Sequence, residues 1–341
     1  GTGVLAVAFG LPGFLGAGQF SVMMFLLLLA VAVFINAAGS AFWFPMLHDL
    51  VPVHLRGRFF GRLRATWSSV SFAVILASGF FLGKDPDIWQ FQVVFGVVMV
   101  SYLSRIFIVA KIPAGNSLSG DVDYDNWKHY IRNLFHQRSL IIFLIYYGVL
   151  SFCMGFLSQP LVLYMKARGF PAKDNVIIFS FNTLGTIIAY LFSGTLVDRF
   201  GTKRIFLVAH LLLCAMCFAV VGIGMLANDY AMFLLPVAMV ISGGTIAASS
   251  VACTAQLLHL IPNRGRAFYF SLSLIITFAG IAISPLLMGK ILDVIGNAWK
   301  INIGAVPLDM FQVILFIAGI LTLLAIVILR PVQNVNPNKQ E

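Results

Sequence analysis

The chain has 341 residues, 60% of them hydrophobic and only 10% charged, with a mean hydropathy of +0.97, whereas soluble domains carry about 25% charged residues. Long apolar runs exclude a soluble domain and a barrel, and leave a bundle of membrane-spanning helices. A net charge of +10 would suit nucleic acid in a soluble protein, but basic loops at a membrane face explain it here, so the lipid bilayer is the expected partner and nucleic acid is not.

About ten spans are predicted, each near the ~20 residues a bilayer requires. The first covers about Thr2–Ala17 and the second about Val22–Leu47. A basic loop with Arg56, Arg58, Arg62 and Arg64 leads into a third span over about Ala65–Leu82 and a fourth over about Trp89–Ala110. The chain opens on Gly1 almost inside an apolar segment, with no charged stretch before it, so it does not read as a signal peptide. It reads as the continuation of something longer.

A polar linker, 111–138, separates an N-terminal transmembrane half (1–110) from a C-terminal one (139–330). Within it Trp127, Tyr130, Ile131, Leu134 and Phe135 recur at helical spacing, opposite Lys128, Arg132 and Gln137. That pattern predicts a short amphipathic helix lying on the membrane surface, with Asp123 or Asp125 as its cap. Six more spans follow, at about Leu140–Met165, Val176–Val197, Ile205–Leu226, Tyr230–Leu260, Ala267–Ile291 and Phe311–Leu329, before a polar tail over 331–341. Cys153, Cys214, Cys217 and Cys253 all fall inside apolar runs, so the C-x-x-C of Cys214 and Cys217 reads as small apolar filler rather than a redox or metal pair.

Alternate loops hold 16 of the 22 Lys and Arg residues. That bias places the opening loop, the linker and the C-terminus on the cytoplasmic side. Three short matches recur in order: His48–Gly61 with His259–Phe268, Leu82-Gly83-Lys84 with Met288-Gly289-Lys290, and Phe91-Gln92-Val93 with Phe311-Gln312-Val313. They link the second, third and fourth spans to the eighth, ninth and tenth, a period of six helices, with Leu292–Pro307 as an insertion in the second copy. An even period gives a parallel repeat, and the charge count excludes an inverted five-plus-five arrangement.

Between the sixth and seventh spans lies Ser193–Arg204, S-G-T-L-V-D-R-F-G-T-K-R, with Gly194 and Gly201 read as permitting close helix approach and a tight turn. Gly194, Leu196, Asp198, Arg199, Gly201 and Lys203 match the signature loop of the major facilitator superfamily, which this stretch resembles; Arg204 keeps the charge, while Thr202 stands where that family usually has a basic residue. The resemblance implies an all-α polytopic membrane protein with two pseudo-symmetric six-helix halves. It also implies that two helices and a second signature loop precede residue 1, and that Asp198 meets the start of the third span near Gly61–Ala65 as a cytoplasmic gate. Asp49, Arg56, Arg58, Arg264 and Arg266 read as further loop clusters at that face.

The same resemblance makes the second, third, fifth, sixth, eighth and ninth spans line a central cavity. Polar stripes fall on those spans, and the substrate-cavity candidates are Asn36, Trp43, Trp67, Tyr146, Tyr147, Gln159, Asn182, Thr186 and Thr245. Against this stands the ordinary use of Ser and Thr in membrane helices, which bond their own backbone or join helices. His210, on a support span, reads as packing. No Asp or Glu lies in the middle third of any predicted span, so either the protein is a facilitator or a coupling residue for H+ or Na+ lies elsewhere. The expected function is movement of a small solute across the cell membrane by alternating access, by a monomer without catalytic residues, metal or cofactor. The alternatives are a transporter-like receptor and an inactive transporter fragment.

Overall fold

The computed structural model describes residues 56–111, 127–226, 228–262, 266–295, 300–303 and 306–335, with single positions between 20 and 31. The first two predicted spans lie outside these residues. Of the linker, 112–126 also lies outside.

Nine helices are described: α1 Arg56–Leu82, α2 Ile88–Val109, α3 Trp127–His136, α4 Arg138–Ala167, α5 Ala172–Phe200, α6 Thr202–Ile223, α7 Asn228–Leu260, α8 Arg266–Ile295 and α9 Met310–Leu329. All except α3 are long and apolar enough to cross a membrane. They correspond to the third through tenth predicted spans, with ends displaced by a few residues. The largest displacement is at α1, which starts at Arg56 and carries Arg62 and Arg64 as helical residues rather than in a loop. Arg is a good helix former, so the drop in hydropathy at Ala65 marks no break in the backbone.

Contacts divide the chain into two units, one of residues 1–60 and 77–120, the other of 61–76 and 121–341. In the first, α1 stops at Gly83, whose φ of 68° belongs to the left-handed region that glycine favours. The backbone N–H of Asp87 donates to Gln90 Oε1 (2.8 Å), and the Gln90 amide donates to the Phe81 carbonyl (2.7 Å), tying the start of α2 to the end of α1. None of the described residues of α2 is buried, as expected of a helix whose apolar surface meets lipid.

In the second unit the same device starts α9. Gln312 N–H donates to Asp309 Oδ1 (2.8 Å) and Asp309 N–H to Gln312 Oε1 (2.9 Å), a reciprocal cap. The equivalence between the fourth and tenth spans therefore runs Asp87 to Asp309 and Gln90 to Gln312, two residues out of step with the Phe91 and Phe311 match. A second departure from the expected repeat is at Gly289, which lies inside α8 while Gly83 ends α1. The insertion after α8 contains an antiparallel pair, β1 Lys300–Ile303 and β2 Val306–Asp309, paired Lys300 to Asp309. These short strands are the exception to the all-helical expectation.

Two helix pairs in this unit approach at backbone distance. Along α5 and α7, Gly185 faces the Val240 backbone, Gly243 faces the Asn182 backbone, and a Cβ on Gly244 would lie 3.5 Å from the Gly185 carbonyl. Along α4 and α8, a Cβ on Gly148 would come within 2.9 Å of the Ile276 side chain, and one on Gly280 within 2.8 Å of the Gly148 carbonyl. Close approach of this kind is how membrane helices gain packing energy without a hydrophobic drive. Gly194, by contrast, meets nothing within 4 Å among the described residues. Among the described residues the contact glycines lie elsewhere on α5 and α7.

The predicted amphipathic helix is α3. Its Tyr130 ring stacks on Phe268 (5.6 Å), the Tyr269 hydroxyl donates to the Tyr130 carbonyl (3.3 Å), and Leu134 packs on the core beneath. One side thus docks on the first turn of α8, while Phe135 remains 73% exposed.

At the end of the bundle away from the signature loop, Arg168 joins α4 to α6. Its guanidinium donates to the Tyr164 hydroxyl (2.7 Å) and to the carbonyls of Gly224 and Leu226. Those carbonyls end α6 and have no helical donor. Arg168→Ala is expected to cost roughly 2 kcal/mol, the range for hydrogen bonds made by a charged donor, and to lower the apparent Tm of the purified protein; Arg168→Lys should restore only part of it.

Candidate functional site

Of the cavity candidates, Asn36 and Trp43 lie outside the described residues, as do Asp49 and Arg264. Gln159 is placed in α4, Arg56 and Arg58 in α1 and Arg266 in α8, with their side chains outside the description.

The remaining candidates fall into three kinds of surroundings. Tyr146 is fully enclosed, its ring against Phe206 (5.1 Å) and His210 (5.6 Å) of α6. It belongs to the seam between α4 and α6. His210 is buried there too, its Nδ1 2.6 Å from the Phe206 carbonyl. Asn182, Thr186 and Thr245 sit along the α5–α7 seam. Thr186 Oγ1 donates to the carbonyls of Asn182 (3.0 Å) and Gly243 (3.2 Å), and Thr245 Oγ1 to Ile241 (2.6 Å). Ser151, Ser193, Thr254 and Thr277 likewise bond a carbonyl four residues earlier in their own helices. The polar stripes are therefore largely satisfied by backbone.

Tyr147 and Trp67 differ. Trp67 is 68% exposed. Tyr147 of α4 stacks on Phe143 (5.8 Å), sits beside Thr277 of α8, and lies within electrostatic range of Arg64 and Tyr190. The guanidinium of Arg64 lies over the Tyr190 ring, 5.7 Å from its centroid. Arg64 of α1 thus meets Tyr190 of α5, and Tyr147 of α4 lies beside Thr277 of α8. Sequence reasoning placed Tyr147, Tyr190 and Thr277 on the polar stripes but left Arg64 in the loop.

The signature loop forms the turn between α5 and α6. Gly201 holds φ at 78°, and a Cβ there would come within 2.6 Å of Asn334 Oδ1. Both the turn and the covering tail demand glycine. Asp198, Arg199 and Arg204 face outward: Asp198 is exposed and makes no ion pair among the described residues, and Arg199 rests its guanidinium on the Phe200 ring (5.3 Å).

Thr202 is the buried centre of the loop. Its hydroxyl bonds the Gln256 side-chain oxygen of α7, accepts from Val335 N–H (3.2 Å), and its own N–H donates to the Val335 carbonyl (2.9 Å). Around it Gln256 donates to the Gln333 carbonyl (2.9 Å), Lys203 N–H to Asn334 Oδ1 (3.1 Å), and Lys203 Nζ to the Arg330 carbonyl (2.6 Å). Residues 330–335 are thereby sewn to the loop, with Val332 and Val335 buried. The polar tail expected over 331–341 begins instead as a packed segment; 336–341 lie outside the described residues. The departure at Thr202 from the usual basic residue has a structural use, since a small hydroxyl fits where a long cation would displace the tail.

All four cysteines are free and buried, and no cluster of metal-ligating side chains occurs among the described residues.

Comparison with known proteins agrees with this architecture. The chain is 26% identical over 171 residues to the "Putative metabolite transport protein YwtG" of Bacillus subtilis (strain 168), a match covering 49% of this chain and 36% of that one. It thus spans about a third of the length of that curated relative. Among solved structures, a double-tryptophan variant of XylE aligns with a TM-score of 0.64 at 16% identity, covering 98% of this chain and 78% of that one. A bacterial homologue of the iron transporter ferroportin, in its inward-facing state, aligns at 0.60 and 16%, covering 96% and 81%. The E. coli fucose:proton symporter FucP aligns at 0.57 and 14%, covering 97% and 82%. At these identities the structures show a shared fold. The family model described as Major Facilitator Superfamily matches residues 1–235 and 177–341, and the chain, a multi-pass helical membrane protein, belongs to that superfamily.

Proposed function

We propose that this protein is a transporter that moves a small solute across the cell membrane by alternating access. The observation that carries the reading is the intact signature turn at Gly201, in a chain matched throughout by the family model. The lysine and arginine bias supports a cytoplasmic signature loop, linker and C-terminus. The monomer is the working unit in this reading, with H+ or Na+ as the coupling ion if transport is active. FucP is itself a proton symporter by description.

Alternating access needs an element that favours one state until substrate arrives, and a few kcal/mol suffice. In this reading Asp198 supplies it, by meeting the basic stretch of α1 near Gly61–Ala65, where Arg62 and Arg64 lie. Support comes from Arg64, which brings that stretch alongside α5 at Tyr190, two turns before Asp198. Asp198→Asn is expected to lower transport about two- to fivefold and to speed labelling of the buried cysteines by a maleimide applied from the cytoplasmic side. Unchanged transport and labelling would remove Asp198 from this role. The function itself is tested by reconstituting the purified protein in proteoliposomes and measuring counterflow of labelled solutes. Absence of flux for every solute that the protein binds would count against transport.

A further inference from the structure

Helix starts are ordinarily capped by the side chain of the residue just before them. For α6 that residue is Gly201, which has no side chain to offer. The cap comes instead from the far end of the chain. The N–H of Thr202 donates to the Val335 carbonyl (2.9 Å) and that of Lys203 to Asn334 Oδ1 (3.1 Å). In return Lys203 Nζ donates to the Arg330 carbonyl (2.6 Å), just past the end of α9, where a helix leaves acceptors free. Helices α6 and α9 thus cap one another through residues 330–335.

The same segment reaches α7. Gln256, fully enclosed, accepts from the Thr202 hydroxyl and donates to the Gln333 carbonyl (2.9 Å). Val332 joins the core cluster that holds Cys253, Leu257 and Ile261 at the end of α7. Yet the segment is lightly held. It forms no helix or strand beyond the end of α9, and Arg330, Pro331, Gln333 and Asn334 are exposed. Only Val332 and Val335 are buried. Fixing six residues costs about as much as two buried valines and these hydrogen bonds return. The turn it covers joins two membrane-length helices and so stands at a membrane face, where water can replace the bonds the tail gives up. We propose that residues 330–335 are a releasable strap: docked, they clamp the adjoining ends of α6, α7 and α9; undocked, they free the last two turns of α7, from Cys253 onward. The transporter reading above gives the strap a use, since alternating access requires the bundle to open at its faces, but the clamp is measurable without it.

The test is maleimide labelling of the full chain in lipid nanodiscs, read cysteine by cysteine by mass spectrometry. Cys253 reports on the strap, and Cys217, in the other core cluster, reports on general loosening. Val332→Asp combined with Val335→Asp cannot stay buried and should undock the tail. Labelling of Cys253 should then quicken at least about tenfold, with Cys217 unchanged. Asn334→Ala removes one cap bond and should quicken Cys253 about two- to fivefold; it carries the test if the double variant does not fold. Lys203→Cys joined to Asn334→Cys as a disulfide should slow Cys253 below the wild-type rate, and reduction before labelling should reverse this. The proposal is overturned if undocking leaves Cys253 protected, if Cys217 quickens by the same factor, or if the cross-linked protein labels at Cys253 as fast as the wild type. Labelling as expected without solute counterflow would leave the strap standing and remove the transporter reading. Counterflow with Cys253 indifferent to the tail variants would do the reverse.

Discussion

Gly243→Val is expected to prevent accumulation of folded protein. A Cβ at Gly243 falls on the carbonyl of Asn182, far inside van der Waals contact, with the carbonyl carbon and Cα of the same residue behind it. The obstacle is helix backbone, which cannot rotate away as a side chain can. The axes of α5 and α7 would have to separate, breaking the Thr186 hydrogen bond to the Gly243 carbonyl (3.2 Å) and the reciprocal fit of Gly185 against Val240. Overpacking a close seam costs typically 1–3 kcal/mol, and with the lost interhelical contacts about 3 kcal/mol or more is expected. That is a large share of the 5–15 kcal/mol available to an ordinary domain. Fluorescence-detected size exclusion and the apparent Tm are the measurements. Gly194→Ala is the matched control, because its Cβ meets nothing within 4 Å among the described residues and it should gain up to about 1 kcal/mol from helix propensity. A wild-type Tm for Gly243→Val would show that the seam can open without loss.

The difference between these two glycines marks where sequence reading succeeds and where it fails. Periodicity and hydropathy identify α2 and α4 to α9 within a few residues, because each must hide its backbone over a full bilayer thickness. The amphipathic pattern of α3 is equally local, and the positive φ at Gly201 follows from a charged turn between two long apolar runs. Which glycines touch a neighbour is not local: Gly185 and Gly243 are 58 residues apart, and nothing in either segment names the other. Arg64 was misplaced for a related reason. A hydropathy boundary reports where the apolar surface begins, whereas α1 continues outward to Arg56 through four arginines and in spite of Gly57 and Gly61. Polar stripes were visible on α4, α5, α7 and α8. Their carbonyl partners were not, and these make most of the Ser and Thr residues into helix-internal contacts rather than solute ligands.

Thr202 shows the same limit and carries the second large effect. Its partners Gln256 and Val335 are 54 and 133 residues away, so the sequence presents it only as a mismatch to a family pattern. Thr202→Val keeps the volume and removes the hydroxyl, leaving buried groups of Gln256 and Val335 without their partner. An unsatisfied buried polar group costs about 1–3 kcal/mol, and because both lost bonds bear on one short segment the penalty concentrates there. The amide of Val335 should exchange with solvent about tenfold to a hundredfold faster, with little change along α4. Thr202→Arg restores the residue type usual in the family and is expected to be worse here. The longer side chain has no room beside Gln256, so residues 332–335 must leave, exposing Val332 and Val335 and freeing Asn334 from Lys203. Hydrogen exchange and limited proteolysis at 330–335 measure both variants. If the tail stayed protected in Thr202→Arg, the buried valines and the Lys203 bonds to Arg330 and Asn334 would be sufficient to hold it, and Thr202 would be a passenger rather than the centre of the dock.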